Sequence, residues 1–118
     1  MIAECEQHGM GVFAIRVFAG GALVGRAPSA HTHTTKFFPL DLYVRDQQRA
    51  AKLADLLEGE MGLKEAAIRF TLGHPSVSSA IIGFGEPTHV DEAVDMAGRG
   101  PLSKGCVVCA RQGDYLML

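Results

Sequence analysis

The feature that most constrains the fold of this chain is a short apolar run that ends in two glycines just before a helical pattern. The run lies in SSAIIGFGEPTHVDEAV, residues 78–94. Its apolar residues predict a buried strand, and the period that follows predicts a helix over Thr88–Ala97. A second apolar run, VFAIRVF at residues 12–18, ends at Gly20 and Gly21 and predicts a strand buried on both faces.

Between these strands the sequence predicts a long loop and two helices. Residues 26–45 have no clean period and are predicted to be a loop. The first helix begins at Asp46 as N-cap and stops at Gly62, and the second ends at Gly73. Their predicted buried faces are Ala50, Leu53, Ala54, Leu57 and Met61 on the first, and Leu63, Ala66, Ala67, Phe70 and Thr71 on the second. Strands alternating with helices favour an α/β fold with parallel strands.

Two buried parallel strands need neighbours on both edges, and the chain offers few other strand candidates. The segment KGCVVCAR, residues 104–111, is the remaining candidate. This shortage indicates that the chain is part of a larger structure.

Composition limits the classes of function. The chain has 118 residues, 47% of them hydrophobic, and a net charge of −2, which predicts one small globular domain and no nucleic-acid surface. No apolar run is long enough for a membrane span, and the N-terminal stretch lacks the features of a signal peptide. Three cysteines fit a reducing compartment, so we expect a cytoplasmic protein without a membrane partner.

Gly83 and Gly85 have a direct chemical interpretation. Backbone N–H groups at a helix start are unpaired and the helix dipole is positive there, while glycine lets a phosphate approach the main chain. Thr88 stands where G-x-G-x-x-G would require its third glycine, so a Rossmann fingerprint is not favoured. In a (β/α)8 barrel the loops after strands 7 and 8 often bind phosphate, and the two glycine-ended strands fit that pair. An ordinary tight turn between strand and helix is the alternative.

Three segments carry a resemblance to a known family: GVFAIRVFAGGALVGRAP, KEAAIRFTLGHPSVSSAIIGFGEPTHVDEAV and GPLS. In this order and spacing they resemble the C-terminal part of the aldo/keto reductases, from strand 7 to helix 8. The resemblance covers residues 1–103 and leaves 104–118 as a divergent tail. It implies a partial (β/α)8 TIM barrel, completed or covered by oligomerisation. It also implies a cofactor, NADP(H) with NAD(H) as the alternative, and carbonyl reduction as the family activity.

The resemblance also implies which residues meet the cofactor. The loop after strand 7 lies along the nicotinamide and pyrophosphate and corresponds to Ile15, Arg16, Val17, Phe18, Ala19, Gly20, Gly21 and Leu23. The segment after strand 8 holds the adenosine end and corresponds to Gly83, Phe84, Gly85, His89, Glu92 and Ala93. Arg16 can pair with a phosphate, or with a carboxylate across the barrel mouth.

The chain departs from the family pattern at several of these positions. Ile15 stands where many members have an aromatic residue that stacks on the nicotinamide. Gly85 stands where a serine or arginine often contacts the 2′-phosphate, His89 replaces a frequent glutamine and Ala93 a frequent asparagine.

The catalytic half of the family barrel has no counterpart in this sequence. The family tetrad of Asp, Tyr, Lys and His comes from the N-terminal half, and a complete barrel takes about 250 residues. We therefore predict no catalytic residues and an inactive isolated chain, which self-associates or binds a complementing N-terminal half-barrel. The alternative is a catalytically inactive remnant that acts as an oligomeric interaction or nucleotide-binding module.

Two further motifs have less specific interpretations. His31 and His33 in HTHTT could bind a metal, but paired histidines without nearby cysteines or carboxylates are typical of a solvated loop. Cys106 and Cys109 have C-x-x-C spacing, yet they form a single pair in a tail without a following helical pattern. We predict no metal site.

Overall fold

The structure, a computed structural model, describes residues 2–36, 40–57 and 59–112. In chain order the described elements are helix α1 (Ile2–Gln7), strand β1 (Phe13–Ala14), a kinked 3-10 segment (Ala19–Val24), helices α2 (Ala30–Thr34), α3 (Leu40–Leu56) and α4 (Leu63–Leu72), strand β2 (Ser79–Ala80), and helices α5 (Thr88–Gly98) and α6 (Lys104–Gln112). Within these ranges no helix is both long and apolar enough to cross a membrane.

The strands β1 and β2 pair in parallel. Phe13 lies opposite Ser79 and Ala14 opposite Ala80, and the backbone N–H of Ile81 donates to the carbonyl of Ala14 at 2.8 Å. A parallel pair requires a crossover connection, which α3 and α4 provide here. The predicted α/β fold with parallel strands is confirmed.

The prediction of a strand over 12–18, buried on both faces, is wrong. β1 has two residues, and Phe13 and Ile15 are 67% and 68% exposed. The strand cannot continue because Arg16 has a φ of 60°, which lies outside the extended region. The apolar side chains stay exposed because the described sheet has two strands and supplies no further strand beside them.

The start of the long helix was also predicted wrongly. Within the predicted loop 26–45, Ala30–Thr34 forms α2, and α3 begins at Leu40, so Asp46 lies inside α3 and does not cap it. Residues 37–39 of that predicted loop lie outside the described part. The earlier start has a tertiary cause, because Tyr43 in the first turns of α3 is buried against the 3-10 segment.

The helix α4 agrees with its predicted period. Its bounds are Leu63–Leu72, Gly73 follows as C-cap, and four of the five predicted face residues are buried. Gly62, predicted to end the preceding helix, is instead the N-cap of α4, because α3 ends at Leu56. The hydrophobic core joins α3, α4, α6 and the 3-10 segment and consists of Leu23, Ala50, Leu53, Leu57, Ala66, Ala67, Phe70, Leu102 and Ala110.

The segment proposed as a third strand forms α6 instead. Ala110 is buried in the core, and Cys106 and Val107 pack against it from the previous turn. Residues at i, i+1 and i+4 share one face of a helix, so this helix can bury one stripe of side chains. The prediction that KGCVVCAR supplies a strand is therefore wrong, and the C-x-x-C pair lies within a helix. Residues 113–118 of the predicted tail lie outside the described part.

Candidate functional site

A cavity of about 170 Å³ lies where the 3-10 segment, α4, the end of β2 and α5 meet. It brings together residues from both glycine segments that the sequence singled out. The lining consists of Phe18, Val24, Arg26, Lys64, Ile68, Ile82, Gly83, Phe84, His89 and Ala93. Residues some 65 positions apart in the chain thus share one cleft, because β1 and β2 are adjacent and parallel.

The first glycine pair is required by the turn itself. Gly20 and Gly21 have φ values of 73° and 110°, which side chains other than hydrogen rarely allow. A Cβ on Gly21 would lie 3.2 Å from the hydroxyl oxygen of Tyr43 and 3.2 Å from the Cβ of Arg26. These glycines let α3 pack closely on the segment, so the chain's own packing accounts for them.

The second glycine pair has no such structural cause. A Cβ on Gly83 or Gly85 would meet nothing within 4 Å, and neither residue has a positive φ. Both glycines are exposed, and Gly83 lines the cavity just before α5. Their main chain is therefore open to approach by a ligand, as the anion-binding interpretation requires.

Three basic side chains surround the cavity: Arg26, Lys64 and His89. At its rim the ammonium group of Lys64 donates a hydrogen bond to Oε2 of Glu92 at 2.6 Å. This hydrogen bond, together with the positive charge of Lys64, lowers the pKa of the Glu92 carboxyl below its usual value. The rim is thus mainly basic and has one carboxylate that is held ionised.

The structure separates the predicted site residues into three groups. The cavity is lined by five predicted residues, and Glu92 reaches its rim through Lys64; the five are Phe18, Gly83, Phe84, His89 and Ala93. Gly21 and Leu23 are buried residues of the 3-10 segment, and Val17 and Ala19 pack against the core. Ile15, Arg16, Gly20 and Gly85 are exposed and lie outside the described lining, with the guanidinium of Arg16 beside Gly20.

Sequence reasoning missed five lining residues: Val24, Arg26, Lys64, Ile68 and Ile82. Arg26 follows the glycine segment closely, and a cation at that place could have been noticed as a phosphate ligand. Lys64 has no such indication, since its partner Glu92 lies 28 residues away on another helix.

Among the side chains that the structure describes, no three His, Cys, Asp or Glu residues form a group that could hold a metal ion. His31 and His33 lie on the five-residue helix α2 rather than in a loop.

Fold and cleft together define an α/β protein with a basic pocket at the end of a parallel strand pair. The sequence matches the model of the aldo/keto reductase family over residues 1–106, and the chain belongs to this family. No curated protein matches the sequence significantly.

Two solved structures share the fold. They are the apo and holo forms of the aldo-keto reductase AKR11C1 from Bacillus halodurans, both 19% identical, with TM-scores of 0.68 and 0.69. The matches cover 98% and 99% of this chain but 38% of the chains they match. The chain therefore spans well under half the length of these structures, and at 19% identity the similarity concerns the fold alone.

Proposed function

We propose that this chain is the cofactor-binding C-terminal part of an aldo/keto reductase barrel, with NADP(H) as cofactor and NAD(H) as the second candidate. The observation that carries the proposal is the cavity, which joins Phe18 of the first glycine segment to Gly83 and Phe84 of the second. By the family resemblance these segments hold the nicotinamide–pyrophosphate and adenosine parts of the cofactor.

The residues of the cleft fit an anionic nucleotide. Gly83 and Gly85 expose main chain in the loop before α5, at the end of the helix where its dipole favours a phosphate. Arg26, just after the 3-10 segment, and Lys64 on α4 add positive charge. The cavity of about 170 Å³ is smaller than the roughly 300 to 1,000 Å³ of a typical small-molecule site. We therefore propose that it holds one end of an extended dinucleotide.

The bound cofactor would supply the hydride for carbonyl reduction. The residues of this chain would bind and orient it, while the tetrad that handles the proton would come from βα units of a complementing half-barrel. For this reason we propose that the isolated chain does not reduce carbonyl compounds. We place the protein in the cytoplasm, where a reducing environment keeps thiols such as those of Cys5 and Cys106 free.

A second candidate function is an inactive module that associates with copies of itself. It is favoured by the exposed apolar side chains on and beside the strands, namely Phe13, Ile15 and Ile81. Open strand edges with exposed apolar residues favour pairing with another chain. This candidate is compatible with a retained nucleotide pocket.

Titration of the purified chain with NADPH and NADH, followed by nucleotide fluorescence, tests the proposal. Saturable binding is expected, and Gly83→Val should weaken it at least ~10-fold, since the added side chain projects where the ligand approaches. Gly98→Val is the matched control, because a Cβ on Gly98 also meets nothing within 4 Å and this residue lies outside the cavity lining. No binding of either nucleotide at millimolar concentration would contradict the proposal and favour the interaction module.

A further inference from the structure

The ion pair between Lys64 and Glu92 lies at the rim of the cavity and spans two helices. Lys64 is in the first turn of α4 and lines the cavity, while Glu92 is in the second turn of α5, one turn after His89. The side chains are 38% and 46% exposed. An ion pair this exposed contributes little to stability.

Lys64 can serve Glu92 and a ligand together. A lysine ammonium carries three donors, and Glu92 accepts one of them. The remaining donors are available to an anion at the cavity rim. Glu92 also keeps the ammonium in place through its 2.6 Å hydrogen bond, and Lys64 in turn lowers the pKa of the Glu92 carboxyl.

The loop before α5 offers no side chain for the same task. Gly83 and Gly85 carry none, and Phe84 is apolar, so these three residues offer a phosphate no side-chain donor. Positive side-chain charge near the start of α5 comes instead from Lys64 across the cleft.

We propose that Lys64 is the residue that selects NADP(H) over NAD(H), by donating from its ammonium group to the 2′-phosphate of the adenosine ribose. The inference rests on the proposed function, which assigns the adenosine end of the cofactor to the segment from Gly83 to Ala93. Lys64 contacts Glu92, one of the three carboxylates of this segment, directly. The 2′-phosphate is the group that distinguishes the two cofactors, so a cation beside the ribose acts on their relative affinity.

The test compares dissociation constants for NADPH and NADH in the wild-type chain and its variants. Lys64→Gln should weaken NADPH binding at least ~10-fold while NADH binding stays within ~2-fold, since a charge-assisted hydrogen bond to phosphate is lost. Lys64→Arg keeps a cation and should retain the preference for NADPH. Lys104→Gln, an exposed lysine at the start of α6, is the matched control and should leave both constants unchanged.

The Glu92→Gln variant distinguishes cofactor selection by Lys64 from a purely structural role of the ion pair. It breaks the same ion pair but keeps the lysine, so the ratio of NADPH to NADH affinity should stay at the wild-type value or rise. An equal loss of both affinities in Lys64→Gln and Glu92→Gln would mean that the pair only holds the helices together, and would overturn the inference. If Lys64→Gln still bound both cofactors with an unchanged ratio of NADPH to NADH affinity, the inference would be overturned as well. Failure of the wild-type chain to bind either nucleotide would overturn the proposed function and this inference with it.

Discussion

The hydroxyl of Tyr43 donates a hydrogen bond to the backbone carbonyl of Arg26 at 2.9 Å. This bond ties the first turn of α3 to Arg26, whose side chain is one of the cations of the cleft. The ring of Tyr43 packs against Gly20 and Gly21, which have positive φ values. The shape of the segment after β1 thus depends on a side chain from a later helix.

The two parts of the tyrosine side chain should differ in their effect on stability. Tyr43→Phe is expected to lower the free energy of unfolding by about 1 kcal/mol, because the amide of Gln47 also donates to the carbonyl of Arg26 at 2.9 Å and keeps it paired. Tyr43→Ala should cost about 3 to 5 kcal/mol, because it leaves a cavity beside the glycines. Urea unfolding measures both. Equal losses in the two variants would contradict this division.

An alanine substitution should lower the stability of the chain in the first glycine segment but not in the second. Gly21→Ala is expected to destabilise the chain by about 1 to 3 kcal/mol, because its φ is 110° and the new methyl group would lie 3.2 Å from Tyr43. Gly83→Ala should leave stability within about 0.5 kcal/mol, because its position is open. Thermal unfolding of the Gly21→Ala and Gly83→Ala variants measures this difference. A large loss for Gly83→Ala would show that this glycine has a structural role after all.

A buried carboxylate connects α4 to the end of α5. Glu65 accepts from Arg69 at 2.7 Å and from Arg99 at 2.6 Å, and its side chain is 10% exposed. Arg69 also donates to the carbonyls of Gly100 and Pro101.

Removal of the Glu65 carboxylate should lower the free energy of unfolding more than removal of its more exposed partner, Arg99. We expect Glu65→Ala to lower the free energy of unfolding by about 3 kcal/mol, because Arg69 would lose a buried counter-charge. Arg99→Ala should lower it much less, because that side chain is 50% exposed and water screens its ion pair. Urea unfolding distinguishes the two, and the reverse order would contradict the assignment of Arg69 as the buried partner.

The sequence predicted those parts of the molecule that depend on local spacing. Ala66, Ala67 and Phe70 recur at helical intervals, and their burial follows from that period alone. The start of α3 depends on a contact between Tyr43 and a carbonyl 17 residues earlier, and no local pattern encodes such a contact. The same holds for the site: the glycine segments stand out in the sequence, whereas Lys64 enters the cleft only through the packing of α4 beside α5.

The ion pair at the cleft predicts a pH dependence with a definite sign. Lys64 lowers the pKa of Glu92, so the pair's contribution to stability is present above the unfolded-state pKa, about 4.3 for glutamate, and is lost as the pH falls through the lower folded-state pKa. Lys64→Ala should raise the pKa of Glu92 towards its ordinary value, which NMR titration of the carboxyl carbon measures. Lys104→Ala should leave it unchanged. A Glu92 pKa that is the same with and without Lys64 would contradict the ion pair.

The exposed strand residues should drive association between copies of the chain, because Phe13, Ile15 and Ile81 present an apolar surface beside strand edges that no other strand of the described residues covers. We expect the wild-type chain to sediment as a dimer or larger species at micromolar concentration. Ile15→Lys should shift it towards the monomer, since a charge beside the strand edge opposes pairing.

A matched substitution tests whether the strands are responsible. Val94 on α5 has the same exposed fraction as Ile15, 68%, so Val94→Lys removes the same kind of apolar exposure at a place away from the strands. This variant should keep the wild-type oligomeric state in analytical ultracentrifugation. Dissociation by both variants would mean that association depends on apolar surface in general, whereas a monomeric wild-type chain would remove the proposal of self-association and leave the complementing half-barrel as the partner for these strand edges.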